Sequence, residues 1–336
     1  MIEQTYIGQG SYGCVLKPGI NCYKLLSNNN TIVKLFKEKE YYDQELVNQN
    51  KLEKLFKNNL NVIVKKISNC QIRLDTYHYK IYENCKDLKY LSPDTIIYQI
   101  VYEYGGIDLM YCGTTTKKCQ KKITFFNIFK NYKNILHALS ILCKKGYIHH
   151  DVRNPNLLFN INNNMTKLID FGFLADESDY LNYTQKFALV YRYPNYHYPP
   201  ELNLKNFSEL YYNMLNIINQ YYYKSNNKKE LYDIIILLKE FKAKFVLILN
   251  SKTKKDIQKY NKFFKPNFKK IDSYMIGVAL LQLYIYCLID NRSGLNYNQH
   301  NIVIKFIKKN ISLRVRFRYS PITAYKDYKK IMKSFR

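Results

Sequence analysis

Two carboxylates and one amide lie close together near the middle of the chain. Asp151 stands two residues after His149 and five before Asn156, and Asp170 opens an Asp-Phe-Gly triplet fourteen residues after Asn156. A carboxylate such as Asp151 can accept the proton of an attacking hydroxyl. The amide oxygen of Asn156 and the carboxylate of Asp170 can ligate a hard divalent cation such as Mg²⁺. Together these groups supply what phosphoryl transfer from ATP requires. The runs Leu157 to Phe159 and Lys167 to Ile169 flank an Asn-rich turn, so a short hairpin is expected to bring Asn156 and Asp170 together.

Other elements must position these groups. Near the start, Ile7-Gly8-Gln9-Gly10-Ser11-Tyr12-Gly13-Cys14-Val15 has the pattern G-x-G-x-x-G-x-V. A backbone without Cβ atoms can lie close over phosphates and offer N–H donors, although an ordinary hairpin turn also uses glycines in this way. The alternating strand that follows, Thr31 to Leu35, carries Lys34, placed to hold the α and β phosphates; a solvated surface lysine is the other reading. Such a lysine needs a carboxylate to orient it. Residues Glu40 to Phe56 have helical character, with Leu46, Leu52, Leu55 and Phe56 as the apolar set. Glu45, near the middle of that helix, is the favoured partner and Glu53 the alternative, and either could instead belong to a solvated face. From Ile123 to Gly146 the apolar period is near 3.6, which predicts one long buried helix leading into the Asp151 loop.

The 336 residues suffice for a substantial core. A net charge of +27 would attract nucleic acid, anionic surfaces or acidic proteins non-specifically. The basic residues are spread along the chain, however, and the abundance of Lys, Asn, Ile and Tyr, with no Trp, fits an A+T-rich coding bias. Eight cysteines form no Cys-x-x-Cys pair, so reduced thiols are expected. The first motif begins within six residues of Met1 and no run of about 18 uncharged apolar residues occurs, so neither a signal peptide nor a membrane span is expected. An intracellular, soluble protein follows from this reading. Nothing in the sequence selects an oligomeric state.

Taken in order, the glycine loop, Lys34, Glu103-Tyr104-Gly105-Gly106, His149-x-Asp151-x-x-x-x-Asn156, Asp170-Phe171-Gly172, Tyr198-Pro199-Pro200-Glu201, the Asp272-to-Gly277 segment and Arg318 resemble the eukaryotic-type protein kinase family. The resemblance runs from Ile7 to about Met332. It implies a bilobal α+β fold: an antiparallel β small lobe with one helix over residues 1–104, and a mainly α-helical catalytic large lobe over residues 105–336. A helical insertion is expected at about 202–270. It further implies ATP, Mg²⁺ (for which Mn²⁺ can substitute) and a protein hydroxyl as acceptor.

By the same resemblance, Ile7 to Val15 and Lys34 enclose the nucleotide. The Glu103 carbonyl and Gly105 amide face the adenine, Tyr102 closes the pocket behind it as gatekeeper, and Asp108 either reaches the ribose or caps the next helix. Asp151 is the proton acceptor, and Asn156 and Asp170 are the metal ligands. Asp272 holds the catalytic-loop backbone, and Glu201 pairs with Arg318. Arg153 occupies a place where serine/threonine-specific members usually carry Lys and keeps a cation near the transferred group. His150 stands where an Arg usually follows the His, which removes the guanidinium that would clamp a phosphorylated activation segment. Activity is therefore expected not to depend on that route, although Ser178, Tyr180, Tyr183 and Thr184 are available acceptors. The Gly-Gln-Gly-Ser-Tyr-Gly-Cys-Val-Leu-Lys-Pro opening, Val-Lys-Leu-Phe and Tyr-Pro-Pro-Glu, with the Lys/Asn/Tyr bias, look like kinases of large nucleocytoplasmic DNA viruses, which would act in host cytoplasm or virion. Serine/threonine specificity is the default; a tyrosine or dual-specificity kinase, or a kinase-fold pseudoenzyme serving as a basic scaffold, are the alternatives.

Overall fold

The computed structural model describes the chain except residues 1–4, 11–12, 21, 23–26, 29, 77–82, 115–122, 177–203, 251–264 and 336. Two compact units result, Met1–Gly105 and Gly106–Arg336.

The first unit is built on strands β1 (Thr5–Gly10), β2 (Gly13–Lys17), β5 (Thr31–Phe36), β6 (Lys66–Arg73) and β7 (Ile96–Glu103), with a two-stranded pair β3 (Gly19–Ile20) and β4 (Ser27–Asn28), and helix α1 (Lys39–Phe56). Its five-stranded sheet has the order β1-β2-β5-β7-β6, with every neighbouring pair antiparallel. Alternation along β5 sorts the side chains by face. Val33 and Leu35 join Cys14, Leu16, Ile97 and Val101 in one buried cluster, while Phe36 joins Ile100, Tyr102 and Tyr42 of α1 in another. Lys34 pairs with Val15 on one side and Ile100 on the other, and so shares the second face. Helix α1 buries Tyr42, Gln49, Leu52 and Phe56, one stripe of its surface. Gly13, third glycine of the loop pattern, is needed for close packing of strands: a Cβ there would lie 2.3 Å from the Leu35 carbonyl oxygen.

The expectation of reduced thiols is corrected in this unit. Cys14 is paired with Cys85 and Cys22 with Cys70, with Cα separations of 5.9 and 5.8 Å, within the range a disulfide spans. Partners 71 and 48 residues apart leave no local spacing signal; sheet formation brings them together. Cys112, Cys143 and Cys287, in the second unit, are buried and outside any disulfide.

The second unit runs through β8 (Ile107–Asp108), α2 (Leu109–Thr114), α3 (Phe125–Asn131), α4 (Lys133–Lys144), β9 (Tyr147–Ile148), β10 (Leu157–Asn160), β11 (Met165–Leu168), β12 (Ala175–Asp176), α5 (Leu204–Tyr221), α6 (Lys228–Asn250), α7 (Ile271–Ile289), α8 (Tyr297–Asn310) and α9 (Pro321–Ser334). The single helix expected over 123–146 is two. Thr124 and Asn127 form a capping box that starts α3, and the Tyr132 amide reaches back only three residues, to Phe129, tightening the turn between α3 and α4.

Helix α7 is the core element, apolar nearly all round and buried along most of its length. The stretch Asn267–Ile289 is long and apolar enough to cross a membrane, its most apolar 18-residue window having mean hydropathy 1.5, but 89% of that window is buried within the protein. Helices α5 and α6 lie within residues 202–270. They bury Leu210, Met214 and Ile218, and Leu231, Ile234 and Leu238. Ser225 and Asn227, in the turn between them, both donate to the Leu288 carbonyl at the end of α7.

Candidate active site

The hairpin predicted around the chemistry-bearing residues forms from β10 and β11, with Leu157 opposite Leu168. The loop before it carries His149, His150 and Asp151, exposed by only 0%, 0% and 2%. A buried loop has no strand or helix ladder to satisfy its backbone, so partners must come from elsewhere. Asp272, in the first turn of α7, supplies them: its two carboxylate oxygens accept the amides of His149 and His150 at 2.8 and 2.9 Å. Burial pushes its carboxyl above the usual range, against the opposing effects of His149 and these two amide bonds. Asn154 adds a second tie by donating to the Ala279 carbonyl at 3.0 Å.

His149 fixes the geometry from inside. Its Nδ1 accepts the Asp151 amide at 3.2 Å, so its Nε2 carries the proton and donates to the Ile169 carbonyl at 3.0 Å. The ring packs on Phe171, 4.7 Å between centroids. The residues on either side of Asp170 are thereby tied to the loop that carries Asp151. Asn156 does more than the sequence suggested. Its Nδ2 donates to both the carbonyl and Oδ2 of Asp151, at 2.9 and 2.7 Å, and Arg153 Nε reaches the same Oδ2 at 3.2 Å. With the amide nitrogen of Asn156 committed to Asp151, its oxygen is the atom suited to a hard cation.

His150 and Asp170 have φ of 66° and 62°. Left-handed backbone at a non-glycine residue is uncommon and gathers at functional sites. For His150, burial lowers the imidazole pKa to about 3, with His149 adding to the effect. Asp170 is exposed.

The small unit carries a group of its own. Lys34 Nζ lies 3.0 Å from Glu45 Oε2, so Glu45 rather than Glu53 makes the ion pair. Tyr102 donates to the other carboxylate oxygen, Oε1, at 3.1 Å, a contact the sequence reading missed. The signal was available only jointly: Lys34 and Tyr102 lie on paired strands with Ile32 opposite Tyr102, which sets both on one face. Gly8 differs from Gly13, for a Cβ added there would meet nothing within 4 Å. Cys14 is wholly buried in the opposite cluster, so it can approach a nucleotide only through its backbone. Val15 stands beside Lys34, and Ile7 is exposed at a register shift in the β1–β2 pair.

At the end of β7, Glu103 is clamped to Lys65: its amide donates to the Lys65 carbonyl at 3.0 Å and its Oε1 accepts the Lys65 amide at 2.8 Å. Gly105 closes the first unit and Gly106 opens the second. Gly106 has φ 117°, and a Cβ there would lie 2.3 Å from the Phe159 carbonyl oxygen, so the second glycine of the pair is required by packing on β10. Asp108 is the cap of α2, accepting the Tyr111 amide at 2.7 Å; burial raises its carboxyl and its backbone hydrogen bonds oppose the rise. Ser11, Tyr12, Ser178, Tyr180, Tyr183, Thr184 and Glu201 lie outside the described residues. Arg318 is buried, donates to the Ser312 carbonyl at 3.0 Å and lies 4.9 Å from the Tyr274 ring centroid.

Among the described residues, no group of three or more His, Cys, Asp or Glu is arranged to hold a metal ion. One carboxylate and one amide oxygen suit Mg²⁺, which keeps waters and takes substrate phosphates as its remaining ligands.

A five-stranded antiparallel sheet with one helix, a mainly helical second unit, and a buried loop presenting Asp151 beside Asn156 define the α+β architecture of a phosphotransferase. Residues 2–202 match the protein kinase domain family model, and the chain belongs to the protein kinase family. Membership carries with it the use of ATP and a divalent metal to phosphorylate a protein. No curated protein matches the chain.

Proposed function

We propose that the protein is a Mg²⁺-dependent serine/threonine kinase in which Asp151 accepts the proton of the substrate hydroxyl. The observation that carries this reading is the Asp151 carboxylate itself, held by Asn156 and Arg153 through one oxygen. A general base must be fixed in place before a hydroxyl arrives, and the hydrogen bonds of Asn156 and Arg153 do this. Lys34, oriented by Glu45, would hold the α and β phosphates, and Ile7 to Val15 would cover them. Glu103 and Gly105 would meet the adenine through backbone groups; Asp108, already a helix cap, would reach the ribose. Asn156 and Asp170 would hold Mg²⁺, which when bound offsets the charge of the phosphates. Arg153 would screen the transferred group.

The opening Gly-Gln-Gly-Ser-Tyr-Gly-Cys-Val and the Tyr-Pro-Pro-Glu segment support an origin in a large nucleocytoplasmic DNA virus. Within that reading, the two disulfides of the small unit favour the virion over the reducing host cytosol as the place where the protein resides.

The test is transfer of label from ATP to a mixture of protein acceptors, followed by phosphoamino-acid analysis. Asp151→Asn is expected to lower kcat by about 10²- to 10⁴-fold, the range for a lost general base, with ATP binding kept. Asp170→Asn should abolish the dependence on Mg²⁺ together with activity. Phosphotyrosine as the main product would overturn the specificity, and no transfer by the unaltered chain would leave a basic scaffold in its place.

A further inference from the structure

We infer that Tyr102 is a positioning residue that holds Glu45 against Lys34, so that one carboxylate ties helix α1 to two neighbouring strands. The inference rests on the kinase reading of Lys34 and Glu45. The two oxygens of Glu45 are divided between the two strands: Oε2 takes Lys34 of β5 at 3.0 Å and Oε1 takes the Tyr102 hydroxyl of β7 at 3.1 Å. The register that sets Ile32 opposite Tyr102 and Lys34 opposite Ile100 turns both donors to the face that α1 covers.

The two contacts differ in kind. Lys34 and Glu45 keep 23% and 33% of their side chains exposed, and an ion pair in that setting leaves the carboxylate free to turn towards water. Tyr102 is 7% exposed, its ring packed among Phe36, Tyr42 and Ile100, and has little freedom to follow. A rigid donor on one oxygen therefore sets the direction of the other. Burial and the adjacent Glu45 push the phenol well above its ordinary pKa, so it stays a donor at any working pH. Tyr102 also immediately precedes Glu103, so the strand proposed to meet the adenine is the one that orients the carboxylate.

The experiment is a double-mutant cycle on the full chain with Tyr102→Phe and Glu45→Ala, read as kcat/KM for ATP. Phe removes only the hydroxyl and keeps the packing. Tyr102→Phe is expected to lower kcat/KM about three- to tenfold, as loss of one ordinary hydrogen bond would. In the Glu45→Ala background the same change should cost less than about 1.5-fold, because the group it acts through is gone. An equal loss in both backgrounds, or no loss in either, would overturn the inference. Amide hydrogen exchange separates this from failure of the kinase reading, since it needs no activity. Tyr102→Phe should raise exchange around Glu45 in α1 severalfold while leaving the paired amides of β5 and β7 unchanged, and unchanged exchange in α1 would sink the proposal even in an inactive chain.

Discussion

The small and large units hold their candidate functional groups by different means. In the small unit, Lys34 and Glu45 meet through side-chain atoms that remain partly in water, with Tyr102 as the only buried member. In the large unit, the catalytic loop is buried and hangs by two backbone amides from Asp272. In the first, the partly solvated ion pair by itself contributes about 1 kcal/mol or less, and its direction depends on the Tyr102 hydroxyl. The second cannot shift without stranding buried N–H groups. The large unit's part is thus the fixed one, which suits a proton acceptor that must not move.

The largest expected effect comes from breaking the fixed half. Asp272→Ala leaves the His149 and His150 amides without an acceptor and should cost about 3 to 5 kcal/mol in urea unfolding, with activity falling as strongly as for Asp151→Asn. A loss below about 1 kcal/mol would show that the loop does not depend on this carboxylate.

Acid should act on the same half. The His150 pKa is about 3 in the folded protein and near 6.5 when unfolded, so only the unfolded chain takes up the proton between these values. Stability from this residue is complete above pH 6.5 and is lost as pH falls towards 3, on the order of 5 kcal/mol in all. Asp272, with its carboxyl raised by burial, works in the opposite direction, since the folded state takes its proton more readily. His137 and His300, also in the large unit and also lowered by burial, add to the acid loss. His150→Asn, chosen because Asn tolerates positive φ, should flatten Tm against pH between about 6.5 and 4. An unchanged profile would remove His150 from this account.

A reductant should act on the other half alone. Both disulfides lie in the small unit, so dithiothreitol is expected to lower its stability by about 2 to 4 kcal/mol per bridge while hydrogen exchange in α7 stays as it was. Exchange rising equally in α7 would show that the two halves unfold as one.

Residue type and spacing determined the local elements, and the resemblance to protein kinases implied the α+β architecture and named the candidate site residues. The hairpin from Leu157 to Leu168, the strand bearing Lys34, helix α1 and the loop around Asp151 all follow from periodicity and short motifs, because each is a local matter of alternation, turn residues or a face. Tertiary structure decided what locality could not. Glu45 and Glu53 both sit on one helix with suitable chemistry, and only the packing of α1 on β5 and β7 selects Glu45. Asp108 offered a cap or a contact and was found capping α2. Gly8 and Gly13 are alike in the loop pattern, yet only Gly13 is pressed against a neighbouring strand. The pairing of Cys14 with Cys85, the double hold of Asn156 on Asp151 and the Tyr102 hydroxyl on Glu45 join atoms that the chain brings together only after its sheet and helices have packed. Directional bonds of this kind depend on angles and separations set by the whole fold, and no pattern within one segment encodes them.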